Sequence, residues 1–252
     1  MSRLYLAALI GIAAQLLIAS CGGGEDDSDY NPPPPTYIAP DTVASISGEI
    51  LFNGTPPTPK PISTEGNPEC RGIHKDILYD ESILVKDAHL QNVFVYIKEG
   101  LENYVFAIPR EPITISNYKC LFSPRVVGAQ ARQHILLLNN DPTTHNFHFH
   151  SKNSEPINRA LPFQGAKYQA KITKSEVMIP IMCDLHPWMT GYIGVLQHPY
   201  FYVTGADGRF ELKNIPAGEY TIETWHEKLG TQQQKIILAP NKNQKVVFTY
   251  PK

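Results

Sequence analysis

The sequence has no basic run: 22 Lys and Arg stand against 24 Asp and Glu, a formal charge of -2 over 252 residues. The electrostatic footprint that nucleic-acid binding requires is therefore missing. A Gly-rich phosphate loop and a Gly-x-Ser-x-Gly elbow are also absent, so nucleotide binding and serine hydrolysis have no support. His226-Glu227 has no second His four residues on and is no zinc-protease motif, and His226 reads as a polar edge residue. Long amphipathic helical periods are lacking, and residues 158–163 hold one helical turn at most. Cysteine is scarce, with only Cys21, Cys70, Cys120 and Cys183. What remains is ample Val, Ile, Phe and Tyr with 22 Pro and 17 Gly, a composition that affords a packed core and disfavours long helices. At roughly 100–200 residues per domain the length allows one or two domains. Short β-like runs separated by turn signals recur at residues 45–52, 92–97, 113–115, 132–138, 144–150, 168–173 and 177–182, so the expected class is all-β.

Ser2-Arg3, the apolar residues 4–18 and Ile18-Ala-Ser-Cys21 resemble a bacterial lipoprotein signal. The resemblance implies that residues 1–20 are removed and that Cys21 carries lipid. With Gly22 rather than Asp behind it, the chain is expected on the periplasmic side of the envelope, at the outer membrane. A plain secretory signal with a chance Cys is the alternative. The apolar stretch falls short of the ~20 residues a bilayer span needs. Residues 21–43, acidic and then Pro-rich, read as a flexible tether with a stiff spacer.

Three cysteines then remain in an oxidising compartment. Parsimony pairs Cys70 with Cys120 and leaves Cys183 for chemistry. Bridges from Cys183 to either partner stay open, and each would remove the site described next.

Met182-Cys183-Asp-Leu-His186-Pro187-Trp188-Met189-Thr-Gly191 follows an apolar β run. Thiolate, imidazole and thioether from one loop lack only a second imidazole to complete a trigonal His2Cys site with a weak axial Met. Asp141-Pro-Thr-Thr-His145-Asn146-Phe147-His148-Phe149-His150 supplies candidates. Alternation puts His145 with Phe147 and Phe149 on one strand face, and Asn146, His148 and His150 on the other. That second face is solvated surface or a weak extra metal site. These segments resemble the cupredoxins, the amicyanin- and plastocyanin-like type 1 copper proteins, over residues 111–199. The resemblance implies one copper bound by His145, Cys183, His186 and Met189. It makes Asn146 a brace for the thiolate, with Pro187 and Trp188 forming an apolar surround for an exposed His186 edge through which electrons leave. Zinc competes for such ligands.

The last fifty residues carry Val-Thr, Asp-Gly, Phe-x-Leu, Ile-Pro and Gly-x-Tyr at spacings that resemble a carboxypeptidase regulatory-like, transthyretin-type sandwich. Matching strands lie upstream at residues 46–52 and 93–97. The expectation is a discontinuous smaller sandwich over residues 44–110 and 200–252, with a Greek-key cupredoxin sandwich of residues 111–199 inserted in it or packed beside it. Together the resemblances imply a lipid-anchored carrier of single electrons between redox partner proteins, with no enzymatic reaction of its own. A carbohydrate- or surface-binding module with a structural metal, and a copper storage or delivery protein, are the alternatives.

Overall fold

The computed structural model describes residues 30–251 apart from Lys75. The expected signal segment, Cys21 and the acidic start of the tether lie outside the described residues. The fold is all-β: among the described residues the only helical elements are Pro40–Thr42 and the six-residue helix Pro68–Ile73. None of them is long and apolar enough to cross a membrane.

Two sandwiches form. In Val43–Phe52, Ala44, Ile46, Ile50 and Phe52 alternate inward, which commits one face of that strand to a core. It pairs antiparallel with Arg209–Pro216 and parallel with Asn243–Tyr250. A second sheet orders Phe201–Val203, Phe94–Glu99, Gly218–His226 and Gly230–Leu238, and Ile46, Ile50, Val95, Ile222 and Phe248 fill the space between the two. All of this comes from the two ends of the described chain.

The intervening residues build the other sandwich. Lys167–Lys171, His134–Asn139, Ile113–Tyr118 and Leu121–Ser123 form one sheet; Ile157–Leu161, His145–Phe149, Glu176–Met182, Thr190–Leu196 and Val126–Gln130 form the other. Ile115, Leu137, Phe147, Phe149, Ile181 and Ile193 are its core. The helical turn expected within residues 158–163 is instead an edge strand, because Ile157 and Leu161 are buried ends that register against Phe149 and His145.

The five-stranded sheet is covered on its inner face and on the part of its outer face that Glu176–Met182, Thr190–Leu196 and Val126–Gln130 form. Its outer side meets the second sheet of the first sandwich through Phe94, Tyr96, Val126, Met178 and Leu196, with Phe201 and Trp225 packed on them. Two glycines let the backbones approach. A Cβ on Gly128 would land on the Phe201 ring, and one on Gly194 would lie 2.5 Å from Phe94 and 2.6 Å from the Met178 methyl. Arg125 bridges the seam with a bidentate pair to Glu227 at 2.5 and 2.9 Å. Gly194→Ala is therefore expected to cost about 1–3 kcal/mol through overpacking, read as a lowered urea midpoint; an unchanged midpoint would show that the seam yields freely.

Two histidines are buried in this region of the molecule. His226, expected at a polar edge, is 1 % exposed, because its strand ends against the Tyr250 ring. Burial, then the Arg125 and Lys228 charges, pushes its pKa down to about 4. His198 is pushed down to about 4 by burial, against a hydrogen bond to the Ile97 carbonyl. Since both folded values lie below the unfolded ~6.5, the unfolded chain takes up the protons first. Stability should be full above pH ~6.5 and fall toward pH 4, by up to about 1.4 kcal/mol per pH unit for each histidine. Urea titrations at pH 7, 5.5 and 4.5 read this, and His198→Gln should flatten the decline. Equal slopes in the two proteins would exclude His198 as a contributor.

Candidate metal centre

The site hangs from the inner face of the five-stranded sheet. Alternation in His145–Phe149 turns His145 inward with Phe147 and Phe149. The Glu176–Met182 strand ends just before Cys183, and Thr190–Leu196 returns antiparallel beside it. Between them the chain makes a closed loop. The Cys183 N–H donates to the Met189 carbonyl at 3.3 Å, the His186 N–H to the Cys183 carbonyl at 3.3 Å, and the Met189 N–H to the His186 carbonyl at 2.8 Å. This wrapping returns residues three and six positions on to the neighbourhood of the thiol.

Cys183 Sγ lies 3.4 Å from His186 Nδ1 and 4.0 Å from His145 Nδ1, and the two Nδ1 atoms are 3.0 Å apart. His145, Cys183 and His186 thus form a three-donor group. Met189 is fully buried in the same core.

The outward nitrogens are also occupied. His145 Nε2 meets Asp141 Oδ2 at 2.9 Å, and His186 Nε2 meets Asn67 Oδ1 at 2.9 Å. Both acceptors call for a proton on Nε2, which leaves each Nδ1 lone pair directed at the thiol. Three converging electron-pair donors repel one another unless a proton or a metal cation sits among them. Burial alone would raise the Cys183 thiol, yet hydrogen bonds shared with the His145 and His186 rings and the backbone at Asn146 and Leu185 bring it down to about 6. Asp141 sits behind the group; burial opposes its charge, but hydrogen bonds from His145, Cys120 and Lys119 hold it below the usual carboxylate range. For His145 burial again opposes charge, and Asp141 and Cys183 together win, raising it. The centre is built for positive charge. A thiolate, two imidazoles and a buried thioether suit a soft or borderline transition ion, whereas hard cations call for oxygen ligands.

The remaining expected residues fall as follows. Asn146 Oδ1 accepts the Asp184 N–H at 2.7 Å, and its Nδ2 donates to Asn158 Oδ1 and Asp184 Oδ2 at 2.7 and 2.8 Å. This pins the residue after Cys183 to the neighbouring strand. Pro187 is exposed. Trp188 is half-buried, its ring centroid 5.3 Å from that of His186, and its indole N–H donates to the Cys120 carbonyl at 3.0 Å. The expected exposed edge of His186 is not found. The ring is 2 % exposed because Asn67 covers it, and Leu185 is the large exposed apolar side chain nearby in the loop. His148 and His150 stack on the other face of their strand with centroids 4.1 Å apart, and His148 Nδ1 lies 3.0 Å from Asp184 Oδ1.

Sequence reasoning missed Asn67 and the role of Asp141. Asp141 accepts the backbone N–H groups of Lys119 and Cys120 at 2.7 and 2.8 Å as well as the proton of His145. Its position four residues before His145 was the available signal. Asn67 is 119 residues from His186, and no local pattern announces it. Cys70 and Cys120 form a disulfide, and Cys183 is a free, buried thiol.

No protein-family model matches the chain, and no curated protein does. Similar solved structures include an amicyanin variant in its oxidized state, at 17% identity and a TM-score of 0.31 over 33% of this chain and 81% of that one. Another is a copper-containing nitrite reductase from Thermus scotoductus SA-01, at 22% identity and 0.33 over 41% of this chain and 25% of that one. A third is a purple cupredoxin from Nitrosopumilus maritimus, at 18% identity and 0.28 over 33% and 98%.

Proposed function

We propose that this chain is a type 1 copper protein that carries single electrons. The observation behind the reading is the convergence of Cys183 Sγ and two imidazole Nδ1 atoms, each imidazole tied back by its Nε2. His145, Cys183, His186 and Met189 would hold the ion, which supplies a one-electron couple when bound there. The chain's own part is to fix the donors. Asp141 and Asn67 set the tautomers, Asn146 anchors the loop, and the closed 183–189 turn keeps thiolate and imidazole together. Such anchoring leaves little to rearrange when charge at the centre changes. Four donors that are each at most 2 % exposed offer no open coordination face of the kind metal catalysis requires, which favours electron transfer over substrate turnover.

The same reading places a lipid at Cys21 and the globular part beyond a Pro-rich spacer, on the periplasmic face of the envelope, where it would exchange electrons with a partner protein. Residues 111–199 would be the copper unit. The flanking strands would be the regulatory-like sandwich that carries it.

Loading the purified chain with cupric ion tests the reading. One equivalent should bind, give intense thiolate charge-transfer colour and show a reversible one-electron wave. A colourless, redox-silent complex would refute it.

A further inference from the structure

The two imidazoles are held from behind by groups that trace to opposite ends of one disulfide. Behind His145, Asp141 also accepts the Cys120 N–H at 2.8 Å. Behind His186, Asn67 lies three residues before Cys70, at the head of the short helix Pro68–Ile73. Cys70 and Cys120 are bonded to each other across 50 residues of chain. Both half-cystines are fully buried in the core that contains the centre, and the Cys120 carbonyl also receives the Trp188 indole N–H. Along the chain, Asn67 lies between Val43–Phe52 and Phe94–Glu99, two strands of the other sandwich. The disulfide fixes it to this sandwich.

Asn67 has a defined orientation. Its Nδ2 donates to the Leu185 carbonyl at 3.3 Å, which leaves Oδ1 as the acceptor facing His186 Nε2. If that acceptor is lost, the Nε2–H and Nδ1–H tautomers of His186 compete, and the Nδ1–H form has no lone pair on the nitrogen that faces Cys183. Groups behind metal-binding histidines commonly change metal affinity 10–100-fold.

We propose that Asn67 is a positioning residue for His186, fixing its tautomer and covering its outer edge, and that the Cys70–Cys120 disulfide is what keeps Asn67 in place. The proposal rests on the copper reading above, and its first test is independent of that reading. In metal-free protein, imidazole nitrogen NMR should show His186 as one Nε2–H tautomer in the wild type and in Asn67→Asp, which keeps an acceptor. Asn67→Leu, which keeps the cover and removes the acceptor, should show a mixture. A single unchanged tautomer in Asn67→Leu would overturn the proposal.

With copper bound, release to a chelator should be at least tenfold faster in Asn67→Leu and within threefold of wild type in Asn67→Asp. Equal rates in Asn67→Leu and wild type would overturn it, as would failure of Asn67→Asp to rescue. Replacing both Cys70 and Cys120 by Ser should speed release about as much as Asn67→Leu, and adding Asn67→Leu to that variant should change little further. Multiplicative effects would show that the disulfide acts by another route. Should the double Ser variant fail to fold, the Asn67 series decides alone. Wild-type protein that takes up no copper would refute the proposed function, and the tautomer measurement would still judge Asn67.

Discussion

Cys183→Ser should abolish the charge-transfer colour of the copper-loaded chain and weaken cupric binding by more than a hundredfold. A serine hydroxyl is a hard oxygen donor that stays protonated near neutral pH, whereas the Cys183 thiol sits near pKa 6 in contact with two imidazoles. The substitution therefore removes both the soft ligand and the negative charge that faces the incoming ion. The metal-free variant should fold, because Ser is slightly smaller and retains the polar contacts with His145 and His186. Absorption titration of folded protein is the measurement. Retained colour would mean that the thiolate is not a ligand.

Asp141→Ala should be the more damaging change to the protein itself. Asp141 is 3 % exposed and accepts three hydrogen bonds, from the N–H groups of Lys119 and Cys120 and from His145. Truncation leaves the Cys120 and His145 donors buried and unpaired, at about 1–3 kcal/mol each, and takes the partner from the part-buried Lys119 N–H. Incomplete relaxation and water entry bring the expected total to roughly 3–5 kcal/mol, at the severe end for point substitutions. The same change frees the His145 tautomer, so any protein that remains folded should bind copper 10–100-fold more weakly. Urea denaturation and metal titration separate the two losses. A variant of wild-type stability would show that water or a neighbour replaces the carboxylate without cost.

The candidate ligands were legible because they are local. A thiol, an imidazole and a thioether within seven residues, after an apolar strand, require only a tight loop to converge, and strand alternation is enough to turn His145 inward. The groups behind the ligands were not legible for the opposite reason. Asn67 reaches His186 from a distant segment that the Cys70–Cys120 disulfide ties to this sandwich, and its type and spacing carry no periodicity. The burial of His186 went unseen with it, since exposure depends on what covers a residue. His226 was misread similarly: it ends a strand, and the Tyr250 that meets it comes from the final strand of the chain. Residues 158–163 contain no strong strand signal, and pairing with His145–Phe149 decides their state where local propensity does not.

The cover on the outer side of the five-stranded sheet bears on whether the segment with the candidate centre is portable. A chain cut to residues 111–199 would lose Phe94, Phe201 and Trp225, the aromatic cover of part of one sheet face, and would present Val126, Met178 and Leu196 to water. It would also leave Cys70 and Asn67 behind, so that Cys120 would become a second free thiol in the same core as Cys183. Such a fragment should be sticky and open to mispaired oxidation. Transplanting this centre into another protein would require its neighbour and its cystine to travel with it.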